Sequence, residues 1–301
     1  MPCFKPLKGF RGRMRSASGK RPIVFSVKDG YKDMPVQVPC GKCIGCRLEY
    51  SRQWAMRIVH EASLHDENSF VTLTYDDEHL PEHGQLLKRD LQLFMKRLRK
   101  SLEPRKIRYY ACGEYGDIGN RPHFHACLFG VDFAEDRYLW RKDGDRVSYR
   151  SPFLEKAWQG GHAEIGDLNF DTAAYTARYV MKKIGGEMAE EHYARLDEES
   201  GEVIQMNPEF ALMSRRPGIG RDWYEKFKGE TYRDDSVIMN GMEVRPPKYY
   251  DRLYEEEAPE VVARARAKRQ RHRREEDETV ERMEVREKCA KARVNLRRRV
   301  I

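Results

Sequence analysis

Two histidines one residue apart, His123 and His125, have the residue type and spacing of a pair of metal ligands. They lie in the apolar and aromatic stretch 121–129, which predicts a β-strand. Alternate residues of a strand point to the same face, so both imidazoles are expected on one side of it. Two imidazoles fixed side by side can bind a divalent metal ion. The alternative is that both are surface residues, or that one is paired with a carboxylate.

Glu114 is the candidate for a third ligand. It follows the preceding predicted strand, and a hairpin between the two strands would bring its carboxylate beside the histidines. Two imidazoles and one carboxylate leave positions on a divalent ion open for water and a phosphate oxygen. The nitrogen ligands are as compatible with Mn²⁺ as with Mg²⁺. Arg121, just before the histidine pair, is expected to meet a phosphate.

A predicted helix over 172–183 carries Tyr175 and Tyr179, whose spacing of four puts both phenols on one face. A phenol has an ordinary pKa near 10, so it needs nearby cations to act as a nucleophile at neutral pH. Arg178 and Lys182 each lie three residues after one of the tyrosines. The alternative is that both rings only pack the helix onto a sheet. A histidine pair together with a tyrosine pair indicates DNA cleavage through a phosphotyrosine.

Apolar periodicity and turn residues predict the elements that would position these side chains. After a strand at 22–27 and a helix over 48–64, the order is strand, helix, strand, strand, helix, strand, helix. The first six of these match the split β-α-β pattern, an α+β fold in which helices pack on one face of an antiparallel sheet. Asp171 or Thr172 is expected to cap the last helix. The predicted bounds are 69–75, 88–102, 107–113, 122–130, 152–159, 162–168 and 172–183.

The composition of the 301 residues indicates a globular core with solvated extensions. Hydrophobic residues make up 40% and charged residues 35%, so a substantial part is expected to be solvated or disordered. No apolar run approaches the roughly 20 residues that span a bilayer. The basic amino-terminal residues precede no apolar stretch of the signal-peptide kind. We therefore expect a cytoplasmic protein without a membrane partner.

Seven cysteines are present, an odd number that argues against a disulfide framework in a chain without an export signal. Cys40, Cys43 and Cys46 have the spacing of Zn²⁺ ligands, and Cys3 is a candidate for the fourth. Iron–sulfur ligation also fits this spacing but lacks a fourth cysteine nearby in the sequence. The alternative is a set of reduced cysteines in a glycine-rich turn.

The net charge of +8 is unevenly placed along the chain. Residues 264–301 contain 15 Lys or Arg against 7 Asp or Glu, so they alone account for it. Residues 1–60 carry 13 basic against 3 acidic side chains. Basic ends around a neutral body are typical of a protein that binds a polyanion, although the tail can also be an ordinary solvated surface. Apart from these basic ends, the individual residues expected to contact DNA are Arg121, Arg178 and Lys183.

Taken in order, these motifs resemble those of the HUH endonucleases that initiate rolling-circle replication. The likeness is to the initiators of small icosahedral single-stranded DNA phages, the gokushovirus type of Microviridae, and it covers about residues 1–190. The two tyrosines are similar to those of initiators that cut repeatedly with alternating nucleophiles. The segments that carry the resemblance are Phe70–Tyr75, Gly113–Gly116, His123–His125 and Tyr175–Lys183.

The resemblance implies an HUH-type, ferredoxin-like sheet with flanking helices and a nicking and joining reaction on a single-stranded DNA origin. The two histidines and Glu114 would hold Mg²⁺ or Mn²⁺. Either tyrosine, assisted by Lys182, would form a 5′-phosphotyrosine and release a 3′-hydroxyl. Host helicase and DNA polymerase would be partners, in the bacterial cytoplasm if the chain is phage-encoded.

The predicted organisation is a basic cysteine-rich segment, a catalytic core, a further subregion and a charged tail that is helical or disordered. Their bounds are 1–66, 67–186, 187–251 and 252–301. Two other functions stay open. One is a tyrosine transposase or plasmid relaxase on the same fold. The other is a non-enzymatic, zinc-containing DNA-binding regulator, which leaves the tyrosine pair and the histidine strand unexplained.

Overall fold

The computed structural model describes residues 3–16, 19, 21–116, 119–144, 146–179, 188–197, 200–271 and 274–298. The packing divides the chain into two compact units. The larger unit is Ser51–Ala265, and the smaller consists of Met1–Tyr50 and Arg266–Ile301.

Strands and helices are mixed along the chain, which confirms the predicted α+β class. The strands are β1 Leu7–Gly12, β2 Ile23–Val24, β3 Gly30–Val38, β4 Asn68–Tyr75, β5 Arg108–Tyr115, β6 Pro122–Phe129, β7 Tyr138–Asp143, β8 Arg146–Arg150, β9 Gly161–Gly166, β10 Ala194–Leu196, β11 Val203–Gln205, β12 Phe210–Met213, β13 Val237–Met239 and β14 Met242–Val244. The helices are α1 Ile44–Ala62, α2 Lys88–Ser101, α3 Pro152–Trp158, α4 Phe170–Tyr179, α5 Met188–Tyr193, α6 Arg221–Asp234, α7 Lys248–Glu257, α8 Pro259–Arg271 and α9 Val280–Arg298.

The larger unit is built on a seven-stranded sheet in the order β12-β5-β6-β4-β9-β8-β7, with all neighbours antiparallel. Burial alternates along β4, where Val71 and Leu73 are fully buried and their neighbours are half-buried, so the sequence has the period of two that a strand requires. The four central strands are those of the predicted split β-α-β pattern. The hairpin of β7 and β8, which the sequence did not predict, extends one edge.

Helices cover both faces of this sheet rather than the single face expected from the sequence. On one face, α2 and α3 pack against Val71 and Phe124. On the other face, α1 and α4 pack against Tyr110, Cys127 and Phe129. The central strands β5 and β6 can accept helices on both sides because nearly all of their residues are buried.

The amino-terminal end of α4 is capped by Asn169 and not by either residue predicted for that role. The Oδ1 atom of Asn169 accepts hydrogen bonds from the backbone N–H groups of Asp171 and Thr172, at 2.9 and 3.0 Å. The helix therefore begins two residues earlier than predicted. Its described part ends at Tyr179, since residues 180–187 lie outside the described ranges.

The smaller unit contains a three-stranded antiparallel sheet in the order β2-β1-β3. The strand predicted at 22–27 is shortened to β2, and its two partners were not predicted. The predicted tail, 252–301, is helical over most of its described residues, in several helices rather than one. In the described part of the chain, no helix is both long and apolar enough to cross a membrane.

Candidate metal centre

The pairing of β5 with β6 places Glu114 directly opposite His123, and His125 follows on the same face of β6. The Oε1 atom of Glu114 is 3.1 Å from Nε2 of His123 and 3.0 Å from Nε2 of His125. The three potential ligand atoms lie within 4.8 Å of one another. The fold thus brings together the carboxylate and the two imidazoles that the sequence singled out.

The other ring nitrogen of each histidine has a separate partner. Nδ1 of His123 is 3.1 Å from the carbonyl oxygen of Arg121, which can only accept, so Nδ1 is the donor. Nδ1 of His125 is 3.0 Å from the hydroxyl of Thr72, which lies opposite it on β4. Such partners fix the ring orientation and leave Nε2 directed at the ligand position. Sequence reasoning missed Thr72 as a site residue, although the alternation of its strand was an available signal.

Glu114 is buried, with 1% of its side chain exposed. Burial alone would raise the pKa of its carboxyl group. With a proton on Nε2, His123 and His125 donate to this carboxylate, which outweighs burial and holds the pKa of Glu114 below its ordinary value; a bound metal cation would take the place of those protons. The carboxylate therefore stays ionised at neutral pH, and this is the form that binds a metal cation.

Tyr175 of α4 lies against this group of side chains. Its ring centre is 5.0 Å from that of His125, and the two rings are nearly perpendicular, at 79°. Phe70 of β4 also contacts His125. The two rings stack, with their centres 5.5 Å apart and an angle of 10° between their planes. The Tyr175 side chain is half-buried, so part of it is accessible to solvent. Phe70 was part of a motif in the sequence but was not predicted to contact the histidines.

The remaining predicted residues of the tyrosine helix are described less fully. Tyr179 is the last described residue of α4, and its side chain lies outside the described part. Arg178 is half-buried in the last turn of the helix. Lys182 and Lys183 lie outside the described residues altogether.

Arg121, just before the first residue of β6, is held by two contacts. Its Nη2 atom is 2.7 Å from Oδ1 of Asp77, and its Nε donates to the carbonyl oxygen of Tyr75 at 3.1 Å. The Asp77 carboxylate is largely exposed, so this ion pair is weak and a phosphate can compete for the guanidinium.

The four cysteines singled out by their spacing also come together, in the smaller unit. The Sγ atoms of Cys3, Cys40, Cys43 and Cys46 lie within 4.8 Å of one another. All seven cysteines of the chain are in the described part, and none of them forms a disulfide.

Comparison with known proteins agrees with the resemblance found in the motifs. The family described as replication-associated protein ORF2/G2P matches residues 68–184. Replication-associated protein VP4 of Bdellovibrio phage phiMH2K is 35% identical over 272 residues, which cover 86% of this chain and 79% of the relative. Replication-associated protein ORF2 of Spiroplasma virus 4 is 34% identical over 282 residues, which cover 85% and 81%.

Replication-associated protein ORF4 of Chlamydia phage 1 is more distant, at 29% identity over 238 residues that cover 75% of this chain and 56% of the relative. No solved structure matches the chain. The first two relatives match over most of their own length and most of this sequence. The family match at 68–184 includes the metal-ligand group and α4. The chain therefore belongs to the family of replication-associated proteins of small, Microviridae-type phages.

Proposed function

We propose that this protein nicks and rejoins single-stranded DNA at a replication origin, with Tyr175 as a nucleophile beside a divalent cation. The observation that carries the proposal is the 5.0 Å between the ring centres of Tyr175 and His125. A phenol so close to a potential metal ligand can act on a phosphate held at the same place. The names of the relatives, which are all replication-associated, support a role in DNA replication.

The side chains of Glu114, His123 and His125 fit a divalent cation. They offer one carboxylate oxygen and two imidazole nitrogens within 4.8 Å, with both rings oriented by hydrogen bonds at Nδ1. When bound, Mg²⁺ or Mn²⁺ would offset the negative charge of the scissile phosphate and keep positions open for its oxygens. The ionised Glu114 contributes the negative charge that favours a divalent cation in this largely buried site.

In the proposed reaction, the phenolic oxygen of Tyr175 bonds to the scissile phosphorus while the bond from phosphorus to the 3′-oxygen breaks. The phenol gives up its proton, and the 3′-oxygen takes up a proton and leaves as a hydroxyl. The 5′-phosphate stays on the tyrosine, so the phosphodiester bond can be remade in the reverse direction. The free 3′-hydroxyl can prime a host polymerase, with a host helicase opening the duplex.

Tyr179 is proposed as the second nucleophile. It follows Tyr175 by one helical turn, so the two residues share a face of α4. After one round of synthesis, it would cut the regenerated origin. The new 3′-hydroxyl would then attack the first phosphotyrosine and release a closed circle. Arg121, Arg178, Lys182 and Lys183 are proposed to contact the DNA phosphates.

The test is to incubate the full chain with circular single-stranded phage-type DNA and Mn²⁺ and to look for a denaturant-resistant protein–DNA adduct. We expect Tyr175→Phe and Tyr179→Phe each to retain part of the nicking, and the double variant to form no adduct. Tyr254→Phe is the matched control, because its ring lies in α7, where it stacks on that of Tyr232 in α6 with the centres 4.1 Å apart. Adduct from the double variant would refute the assignment of the nucleophiles.

The same experiment separates the other two functions. A DNA-binding regulator would shift the mobility of the DNA and leave no covalent product. A transposase or relaxase would form the adduct but would act on transposon ends or a plasmid transfer origin in preference to phage-type circles.

A further inference from the structure

Four cysteines from separate points of the chain converge in the smaller unit. Cys3 precedes β1, Cys40 follows β3, Cys43 directly precedes α1, and Cys46 lies in its first turn. The Sγ atoms of Cys3 and Cys40 are 3.7 Å apart, and those of Cys3 and Cys43 are 3.9 Å apart. All four Sγ atoms lie within 4.8 Å of one another.

These separations match the edges of one tetrahedral coordination sphere. A zinc–sulfur bond of about 2.3 Å in a regular tetrahedron puts neighbouring sulfurs about 3.8 Å apart. We propose that Cys3, Cys40, Cys43 and Cys46 bind one structural zinc ion through four thiolates. A disulfide requires sulfurs only about 2 Å apart. A cluster of several irons binds its cysteines to different metal atoms and so needs a wider arrangement.

Backbone N–H groups already point at the sulfur atoms. The N–H groups of Phe4 and Cys40 donate to Sγ of Cys43 and Sγ of Cys3, with N···S distances of 3.4 and 3.3 Å. The N–H of Cys43 donates to Sγ of Cys40, also at 3.3 Å. Donors of this kind stabilise a thiolate, the form of cysteine that binds zinc. Cys46 lies in the first turn of α1, where the positive end of the helix dipole favours a negative charge.

The segment that carries these cysteines has almost no apolar core of its own. Among the described residues up to Tyr50, Cys3 and Cys43 are the only ones that bury a side chain. Others, such as Phe4 and Phe10, are only half-buried. Seven large apolar or aromatic side chains of the segment are exposed: Leu7, Met14, Ile23, Phe25, Val27, Met34 and Tyr50. A segment of this size without a core usually needs a metal or disulfides to hold its fold.

The zinc ion therefore takes the place of a hydrophobic core in this segment. It links Cys3, which precedes the three-stranded sheet in the sequence, and Cys40, which follows the sheet, to the beginning of α1. Four protein ligands close the coordination sphere, so no position is left for a reacting water, and the role is structural. The site formed by Glu114, His123 and His125 differs, since three protein ligands leave coordination positions of a metal ion open there.

The test is the zinc content of the full chain, measured by inductively coupled plasma mass spectrometry after dialysis against a mild chelator. We expect one equivalent of zinc per chain in the wild type and none in Cys43→Ser. Cys289→Ser is the matched control, because that thiol is exposed in α9, and it should retain the full equivalent. Equal zinc in all three proteins, or iron in place of zinc, would overturn the proposal.

Because Cys43→Ser can lose the fold of the segment, a second measurement uses the wild type alone. Co²⁺ exchanged into the protein should give the intense visible absorption of tetrahedral thiolate coordination. A thiol reagent should then modify four cysteines only as the metal is released. Absence of this absorption in Co²⁺-loaded protein, or four thiols that react fully before metal release, would also overturn the proposal.

Discussion

Acidification from pH 7 to pH 5 is expected to destabilise the protein through His60, a buried histidine of α1. Its ring stacks on that of Trp223, with the centres 3.6 Å apart, and its Nδ1 atom is 3.0 Å from the hydroxyl of Tyr250. Burial lowers the pKa of His60 to about 3, from an ordinary value of 6.5. The folded protein therefore keeps this imidazole neutral across the range in which an unfolded chain protonates it.

The magnitude follows from the two pKa values of His60. Between pH 6.5 and pH 3, the unfolded chain binds a proton that the folded chain does not, so acid favours unfolding. The contribution of the neutral His60 to the free energy of unfolding is fully present above pH 6.5. Below that pH, it is lost at up to about 1.4 kcal/mol per pH unit. From pH 7 to pH 5, the loss is about 2 kcal/mol.

The assay is urea unfolding at pH 5, 6 and 7, followed by tryptophan fluorescence, for the wild type and His60→Asn. The asparagine amide can still hydrogen-bond to Tyr250 but does not titrate, so the difference between the two proteins isolates His60. We expect that difference to shrink by about 2 kcal/mol as the pH falls from 7 to 5. His162→Asn, at an exposed histidine, controls for the loss of a ring. A difference that stays constant with pH would refute the reasoning.

Three further predictions concern the metal site, a buried ion pair and the tail. His125→Ala should abolish Mn²⁺-dependent nicking in the covalent-adduct assay. Unchanged activity would show that this strand does not provide the metal ligands. Glu61→Ala should lower the free energy of unfolding, measured in urea, by about 3 kcal/mol. The reason is that its buried carboxylate accepts hydrogen bonds from Arg108 and, at 2.6 Å, from the N–H of Gly220. A loss below about 1 kcal/mol would contradict a buried ion pair. Deleting residues 264–301 should weaken single-stranded DNA binding and flatten its salt dependence while the adduct still forms, and an unchanged salt slope would exclude the tail from the interface.

The sequence predicted the central strands because their residues repeat with a period of two or form short apolar runs. That period alone put His123 and His125 on one face, and the hairpin that follows from two adjacent strands made Glu114 a candidate partner. The spacing of Cys40, Cys43 and Cys46 was equally local, since three ligands within seven residues need little of the fold to meet. Patterns of this kind depend on backbone geometry, which the sequence encodes over a few residues.

The edge hairpin of β7 and β8 could not be predicted in the same way. All six residues of β7 are exposed, so no alternation between apolar and polar side chains marks the strand. The strands β1 and β3 escaped prediction for a related reason, because the only buried residues in them are glycines. An element without a buried side chain leaves no hydrophobic pattern in the sequence.

The sequence by itself determined which side chains could do chemistry and on which face of their own strand or helix they lie. Only the tertiary structure decided what lies across from them. Strand register put Thr72 beside His125, and the packing of α4 on the second face of the sheet brought Tyr175 to the metal ligands. Register and packing depend on contacts between residues far apart in the chain, and a local pattern carries no record of such contacts.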